Sequence, residues 1–324
     1  MTSVGVVGAT GFAGALAAQL IDRHPHFTLA YVTARAEAGR RLDDVHPRTR
    51  VGATLEDFDA SSDVDAAIVA YPHGAAAPTV AALRERGVRV IDLSADFRLR
   101  DLDTYTAWYG EHGAPELFGQ AVYGLPELYR DEIADADLVA GPGCYPTAAL
   151  LALLPLAQAG LLGDGVIIDA KSGVTGAGRS ASDATHFVTV NEDMKPYKVG
   201  AHRHRPEIEQ ELGHGVVFQP HLVPLSSGEL TSCYARASRP TDAEELAGLF
   251  ADAYAEEPFV EVLQDRPPGV LEVRETNFCR ISVHLDGDQI IVFAAIDNLW
   301  KGTASQAVQS LNLMFGRPET EGLN

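Results

Sequence analysis

Val4-Gly-Val-Val-Gly-Ala-Thr-Gly-Phe-Ala-Gly14 is a β-rich run that passes through glycines straight into a helix pattern, Ala15 to Asp22. Gly8, Gly11 and Gly14 are spaced G-x-x-G-x-x-G. Glycines at such a turn let the backbone approach a pyrophosphate, and the N-terminus of the following helix stabilises the anion. A position between a strand and a helix is the context that gives a glycine pattern meaning. A tight strand–helix turn with no nucleotide is the competing reading. The next strand, Thr28 to Thr33, ends without the acid that would grip a ribose 2′-hydroxyl, and Arg35, Arg40 and Arg41 follow. An arginine there pairs with a 2′-phosphate, which favours NADP over NAD, a solvated loop arginine being the alternative.

Working outward, Ala66 to Ala70 and Val88 to Asp92 read as strands around a helix near Ala76 to Arg86. This alternation predicts a Rossmann-type, doubly wound parallel sheet. Two turns leave strand ends on the edge where such sheets bind ligands: Tyr71-Pro-His-Gly74 and Asp92-Leu-Ser-Ala-Asp-Phe-Arg98. His73 is a candidate there, or an ordinary loop histidine. Arg98 is either an anion clamp or half of a structural salt bridge. Residues 101–136 read as aromatic, charged and irregular, and Tyr123-Gly-Leu-Pro-Glu127 as a packed connection.

A strand at Asp137 to Ala140 then leads into Gly141-Pro-Gly-Cys-Tyr-Pro-Thr147 and a long apolar helix pattern. Pro146 suits a first helical turn, which places Cys144 just before the helix start. Unpaired N–H groups and the helix dipole favour an anion at that point, and a thiolate is the reactive form of cysteine. An activated cysteine stands against a small buried hydrophobe.

After the helix the pattern changes. Val166 to Asp169 reads as a strand, followed by the glycine-rich loop Lys171-Ser-Gly-Val-Thr-Gly-Ala-Gly-Arg179, whose N–H groups, Ser172 and Arg179 suit a cofactor or substrate unless it is a linker. His202 and His204 bracket Arg203 just before a helix. No third ligand is evident, so no metal is expected, and an acid/base with an anion-binding neighbour suits a cysteine enzyme. Leu230 to Ala237, Cys279 to Leu285 and Gln289 to Ile296 read as strands, the last two joined by a turn at Asp286-Gly287. Thr241 and Glu244 form a capping box for a helix with Leu246, Leu249, Phe250 and Ala253 on one face. A sheet with helices segregated to one face follows, an α+β unit. Lys301 to Phe315 reads as one helix that returns to the N-terminal domain. The expected division is 1–143 with 302–324, and 144–301.

The 324 residues suffice for two cores, and a net charge of -20 argues against a nucleic-acid partner. Cys144, Cys233 and Cys279 are few, odd in number and widely spaced, which suggests a reducing compartment, with Cys233 and Cys279 structural. No secretory signal or membrane-length apolar run is apparent, so a cytoplasmic protein without a membrane partner is expected.

Taken in order, these motifs together with His202-Arg-His-Arg-Pro-Glu-Ile208 and Asp297-Asn-Leu-Trp-Lys-Gly302 resemble the N-acetyl-gamma-glutamyl-phosphate reductases of the aspartate-semialdehyde-dehydrogenase superfamily. The resemblance runs from Gly8 to Leu311. It implies an arginine-pathway enzyme, homo-oligomeric (dimer or tetramer), that uses NADPH to reduce a small-molecule acyl phosphate to a semialdehyde. It implies that Cys144 attacks the acyl phosphate to form a thioester, that His202 is the acid/base, and that Arg98, Tyr197 and His204 handle substrate. It places the cofactor on Gly8, Thr10, Gly11, Phe12, Ala13, Gly14, Thr33, Arg35, Ser172, Gly173 and Asn298. Two departures stand out. Ser226-Ser227-Gly228-Glu229 occupies a place where an arginine before glycine is usual, and the Tyr197-to-His202 segment is one residue short. A reductase of a carrier-borne glutamyl or aminoadipyl phosphate, and a nucleotide-sensing binding protein, are the alternatives.

Overall fold

Among the described residues, branched apolar residues at alternate or continuous positions build fourteen strands, and apolar stripes at helical spacing build ten α-helices. The structure is a computed structural model that describes residues 1–323. It divides into two compact units, Met1–Gly143 with the stretch from Thr303, and Cys144–Gly302.

The first unit contains β1 (Thr2–Val7), α1 (Phe12–Arg23), β2 (Phe27–Thr33), α2 (Leu42–Val45), β3 (Leu55–Glu56), β4 (Ala66–Val69), α3 (Ala77–Glu85), β5 (Arg89–Asp92), α4 (Leu102–Tyr109), β6 (Val122–Tyr123), α5 (Pro126–Asp135) and β7 (Leu138–Ala140). Its seven strands pair in the order β3-β2-β1-β4-β5-β7-β6, every pairing parallel. Val4, Val6, Ala66, Ile68, Val90 and Ile91 are fully buried, as strands covered on both faces require. Residues 101–136 are more regular than their composition suggests. Asp101 caps α4 by accepting from Thr104 N–H at 2.8 Å, and Pro126 opens α5.

The second unit contains α6 (Cys144–Gln158), β8 (Val166–Ser172), α7 (Phe187–Val190), β9 (Lys195–Pro196), α8 (Arg205–Leu212), β10 (Val216–Leu222), β11 (Glu229–Arg236), α9 (Ala243–Ala253), β12 (Val260–Val262), β13 (Cys279–Asp286) and β14 (Gln289–Ile296). The sheet order is β12-β13-β14-β11-β8-β10-β9, mixed in direction. α6 packs on β11 and β14, α8 on β10 and α9 on β13, all on one face. α6 is buried all round from Tyr145 to Leu156, so it reads as apolar without a polar stripe. Pro155 sits inside it without breaking it. A proline there has no N–H for the Leu151 carbonyl, and the Tyr254 hydroxyl donates to that carbonyl instead.

Two sequence expectations need correction here. The cap of α9 is Asp242, which accepts from Glu245 N–H at 2.8 Å, one residue beyond the expected Thr241–Glu244 box. Thr241 bonds the Glu245 side chain instead, and Ala253 is exposed. The last helix is also not continuous from Lys301. A π-turn spans Trp300–Ala304, and α10 (Ser305–Met314) follows. Within the first unit α10 packs on α1 and α5, and the tail behind it is tied by Arg130–Glu319 at 3.1 Å and His24 Nε2 to the Glu321 carbonyl at 2.9 Å. Among the described residues no helix is long and apolar enough to cross a membrane.

Candidate active site

In the first unit the glycine turn is shaped by close approach. Gly8 has φ +82°, a conformation that a side chain disfavours. Its N–H donates to Thr33 Oγ1 at 3.2 Å, and Ala9 N–H to the Thr33 carbonyl at 2.9 Å, so Thr33 anchors the turn. A Cβ on Gly14 would stand 2.4 Å from the Gly8 carbonyl oxygen. Gly11 is the N-cap of α1 and offers no side chain to the first-turn N–H groups of Phe12, Ala13 and Gly14. Thr10 adjoins them, its carbonyl 2.9 Å from His46 Nε2. Beyond β2, Arg35 is exposed and lies 4.5 Å over the Tyr71 ring, while Arg41 is engaged by Asp43 at 2.7 Å.

The Asp92–Arg98 stretch is a scaffold. Asp96 is fully buried and accepts from the N–H groups of Gly74, Ala76 and Ala77 at 2.6, 3.0 and 3.0 Å, and from the Tyr105 hydroxyl at 3.1 Å. It thereby caps α3 from a different strand end. Burial pushes the Asp92 carboxyl up to about 7, against two bonds from Ser94. Arg98 is buried, with Nε on the Gly141 carbonyl at 2.7 Å and Nη2 on the Leu93 carbonyl at 2.8 Å. It fixes the loop three residues before Cys144 in sequence. His73 accepts the Ala95 N–H at 2.9 Å and packs edge-on to Tyr109.

In the second unit Cys144 is the first residue of α6 rather than the residue before it, and it is partly exposed. Gly302 lets the chain pass close by: a Cβ there would be 2.7 Å from Cys144 Cβ. Tyr145 carries the site into a cluster of rings. Its hydroxyl accepts from the Tyr197 hydroxyl at 3.2 Å, and its ring meets His202, His204 and Phe218 with centroids 5.7, 5.8 and 5.3 Å away. Tyr197 lies 5.5 Å from His202, and His202 4.8 Å from His204. Burial pushes both phenols above their ordinary range, with the Cys144 and Glu229 charges adding to it. The His204 N–H donates to His202 Nδ1 at 3.2 Å, so a neutral His202 carries its proton on Nε2.

Ser172, Gly173 and Asn298 form a second cluster in this unit. Asn298 Oδ1 accepts the Gly228 N–H at 2.7 Å and Nδ2 donates to Thr175 Oγ1 at 3.1 Å. Gly173 N–H bonds the Gly228 carbonyl at 2.9 Å, and Thr175 N–H the Ser226 carbonyl at 3.0 Å. The glycine-rich loop is thus laced to the Ser226–Gly228 turn, while Arg179 at its far end is exposed. Arg274 Nη2 donates to the Ser227 carbonyl at 2.9 Å, so a guanidinium from a loop distant in sequence meets the backbone of the Ser226–Gly228 turn.

Three residues at this site lie inside stretches quoted from the sequence but were given no role there. Asp297 accepts from Leu299, Trp300 and Glu275 N–H and shapes the turn that ends in Gly302. Tyr145 looks like any helix aromatic. Glu229 opens β11, in register with Ser172 on one side and Ile296 on the other, and is completely buried. Thr231 Oγ1 donates to its carboxyl at 3.3 Å, and burial raises its pKa to about 8. Only its place in the Ser-Ser-Gly-Glu departure marked it.

The doubly wound parallel sheet and the mixed-sheet unit that begins at Cys144 correspond to the two domains of the semialdehyde dehydrogenases. The sequence model of "Semialdehyde dehydrogenase, NAD binding domain" matches residues 3–136, and that of "Semialdehyde dehydrogenase, dimerisation domain" matches residues 144–298. N-acetyl-gamma-glutamyl-phosphate reductase of Halorhodospira halophila is 48% identical over 339 residues, covering 100% of this chain and 98% of the relative. That of Desulforudis audaxviator is 47% identical over 342 residues with the same coverage. The chain belongs to the N-acetyl-gamma-glutamyl-phosphate reductase family, an oxidoreductase family with a nicotinamide-dinucleotide domain. Solved structures share the fold. Aspartate semialdehyde dehydrogenase II of Vibrio cholerae complexed with ASA has TM-score 0.75 at 19% identity, covering 98% of each chain. The Candida albicans aspartate semialdehyde dehydrogenase with NADP has TM-score 0.74 at 15% identity, covering 97% of this chain and 98% of that one.

Proposed function

We propose that this chain reduces N-acetyl-gamma-glutamyl phosphate to N-acetyl-glutamate semialdehyde and inorganic phosphate, with NADPH, through a thioester on Cys144. The observation that carries the reading is Cys144 itself, a partly exposed thiol on the first residue of a buried helix, adjoining the Tyr145–Tyr197–His202–His204 ring cluster. Its sulfur attacks the acyl carbon, the bond to the phosphate oxygen breaks, and a thioester forms. This divides one difficult reduction into two easier steps. First-turn N–H groups of α6 are placed to stabilise the tetrahedral oxyanion. His202, with its hydrogen on Nε2, is the acid/base residue on this reading and donates a hydrogen bond to the oxyanion formed from the thioester. His204 and Tyr197 line the substrate side of the ring cluster.

The residues fit the cofactor. The uncapped start of α1, the positive φ of Gly8 and the absence of a side chain at Gly14 make a cradle for a pyrophosphate. Arg35, spread over Tyr71, is the cation for a 2′-phosphate, which selects NADP. Bound there, NADPH supplies the hydride that reduces the thioester. Within the second unit Ser172, Gly173 and Asn298, tied into one loop cluster, are further cofactor-binding residues on this reading.

The assembly is a homodimer, and the sheet face opposite α6, α8 and α9 suits it. Ile167 and Val217 are 43% and 59% exposed there, on adjacent parallel strands, beside the Asp169–Lys171 pair at 2.7 Å. The protein is cytoplasmic on this reading. Ser227 favours one second reading, a reductase of a glutamyl or aminoadipyl phosphate borne by a carrier.

The test runs the reaction backwards. N-acetyl-glutamate semialdehyde, NADP and phosphate should generate NADPH absorbance, faster than with NAD. Cys144→Ser should abolish it and leave nucleotide binding intact. Turnover surviving in that variant sinks the thioester, and a preference for the acetylaminoadipate-derived semialdehyde moves the assignment to the second reading.

A further inference from the structure

Three arginines follow β2, and the fold treats them differently. Arg41 is engaged. Asp43 accepts from its Nε at 2.9 Å and from its Nη2 at 2.7 Å, and a Cβ on Gly52 would lie 2.6 Å from that Nη2. Arg40 is exposed, and among the described residues no hydrogen bond, ion pair or ring orients its side chain. Arg35 is exposed too, but its guanidinium carbon lies over the Tyr71 ring, 4.5 Å from the centroid. Among the described residues no acceptor takes its N–H donors. The face of an aromatic ring attracts a cation within about 6 Å without neutralising it. We propose that Tyr71 is a positioning residue for cofactor choice, its ring holding Arg35 ready for the 2′-phosphate of NADP. This inference rests on the cofactor reading above and names the group that places its cation.

The ring is the fixed partner of the pair. Ala70 N–H donates to the Val7 carbonyl at 2.8 Å, so the chain is still laced to β1 one residue before Tyr71. Pro72 comes next and confines the Tyr71 backbone to extended conformations. The ring lies against the glycine turn, its Cδ1 2.9 Å from where a Cβ on Gly8 would stand. With Phe58 it packs on the buried cluster that holds Val7, Tyr31 and Val69. Arg35 by contrast has a long flexible stem, and freezing such a stem at the moment of binding costs affinity. The ring restricts it beforehand.

This contact serves a phosphate better than an ion pair would. An acid beside Arg35, as Asp43 stands beside Arg41, would take the N–H fork and cancel the charge. Tyr71 does neither, so the planar fork remains for two phosphate oxygens. The chain carries a net charge of -20, which repels an anionic nucleotide at long range. A local cation therefore decides whether an added phosphate strengthens or weakens binding. No acid stands at the end of β2, so NAD gains no matching contact there for its 2′-hydroxyl. Tyr71 thus acts on the difference between the two cofactors rather than on what they share.

The experiment titrates the full chain by calorimetry with adenosine 2′,5′-bisphosphate and adenosine 5′-monophosphate, which differ by the 2′-phosphate alone and need no turnover. The wild type should bind the bisphosphate more tightly. Tyr71→Leu should weaken the bisphosphate about 5- to 30-fold, the range of a cation–ring contact, and the monophosphate by less than about twofold. Tyr71→Phe keeps the ring and should hold the wild-type ratio of affinities within about twofold. Equal weakening of both nucleotides by Tyr71→Leu, or a lost ratio in Tyr71→Phe, overturns the proposal. Should Tyr71→Leu fail to fold, Tyr71→Met carries the same expectation with a more adaptable side chain. Added to Arg35→Gln, Tyr71→Leu should have no further effect on the ratio, and an additive loss overturns the proposal as well. Arg35→Gln with the wild-type ratio intact defeats the assignment of the 2′-phosphate to Arg35, and this inference with it. A ratio abolished by Arg35→Gln but retained by Tyr71→Leu defeats the positioning role alone.

Discussion

Gly302→Ala is the substitution that most directly moves the reacting sulfur without touching it. The added Cβ would lie 2.7 Å from Cys144 Cβ, 3.2 Å from Cys144 Cα and 3.3 Å from the Asp297 carbonyl oxygen. Carbon atoms rest about 3.5–4.0 Å apart, so roughly 1 Å must be found. The Gly302 N–H is bonded to the Asp297 carbonyl at 2.9 Å, and Asp297 is itself held by three backbone donors. The turn is therefore the stiffer side, and the start of α6 gives way. Overpacking of this kind costs about 1–3 kcal/mol, which a chain with two cores survives. A displacement near 1 Å at a nucleophile costs about 100-fold in rate. Initial rates in the reverse assay should show kcat lowered by about that factor, with NADP affinity unchanged by fluorescence titration and the circular dichroism spectrum retained. A kcat within about threefold of the wild type would refute the claim that this glycine sets the position of Cys144.

The remaining predictions concern the first unit. Gly14→Ala places a Cβ 2.4 Å from the Gly8 carbonyl oxygen and should weaken NADP binding at least about tenfold while Cys144 alkylation stays unchanged; equal affinity would dissociate the glycine turn from the cofactor. Asp96→Ala strands the N–H groups of Gly74, Ala76 and Ala77 and the Tyr105 hydroxyl, at a cost of about 3 kcal/mol or more, to be read from urea midpoints; a loss under about 1 kcal/mol contradicts the capping role. The Asp92 pKa is raised from 3.8 to about 7, so the folded chain binds a proton there that the unfolded chain has released. Its contribution is fully present below about pH 4 and is lost as pH rises through about 7, by up to about 1.4 kcal/mol per pH unit. Melting temperatures of Asp92→Asn between pH 5 and 8 should therefore fall less steeply than those of the wild type, and parallel curves would show that Asp92 is ionised throughout.

What the sequence determined by itself is everything set by local stereochemistry. The turn at Gly8, Gly11 and Gly14 was legible because a positive φ and a close carbonyl each exclude a side chain at a fixed place in the chain. Strand and helix alternation was legible because burial on two faces leaves continuous apolar runs. Cys144 was legible because glycines, a proline and an apolar helix stand beside it in order, and the Asp92–Arg98 and His202–His204 stretches because polar residues cluster at element ends.

Tertiary structure decided what those groups meet. The Thr241–Glu244 signal slipped by one residue because Thr241 found the Glu245 side chain and Asp242 the backbone. Residues 101–136 read as irregular because their helices are short and rest on neighbours, with Tyr105 held on Asp96 rather than on an amphipathic stripe of its own. Pro155 is tolerated in α6 because Tyr254, far along the chain, supplies the donor that Leu151 lacks. Glu229 is the sharpest case. Strand register sets it beside Ser172 and Ile296, and α6 packs over β11. An exposed glutamate is ionised in water; only the exclusion of water by folded neighbours raises the Glu229 carboxyl to about 8.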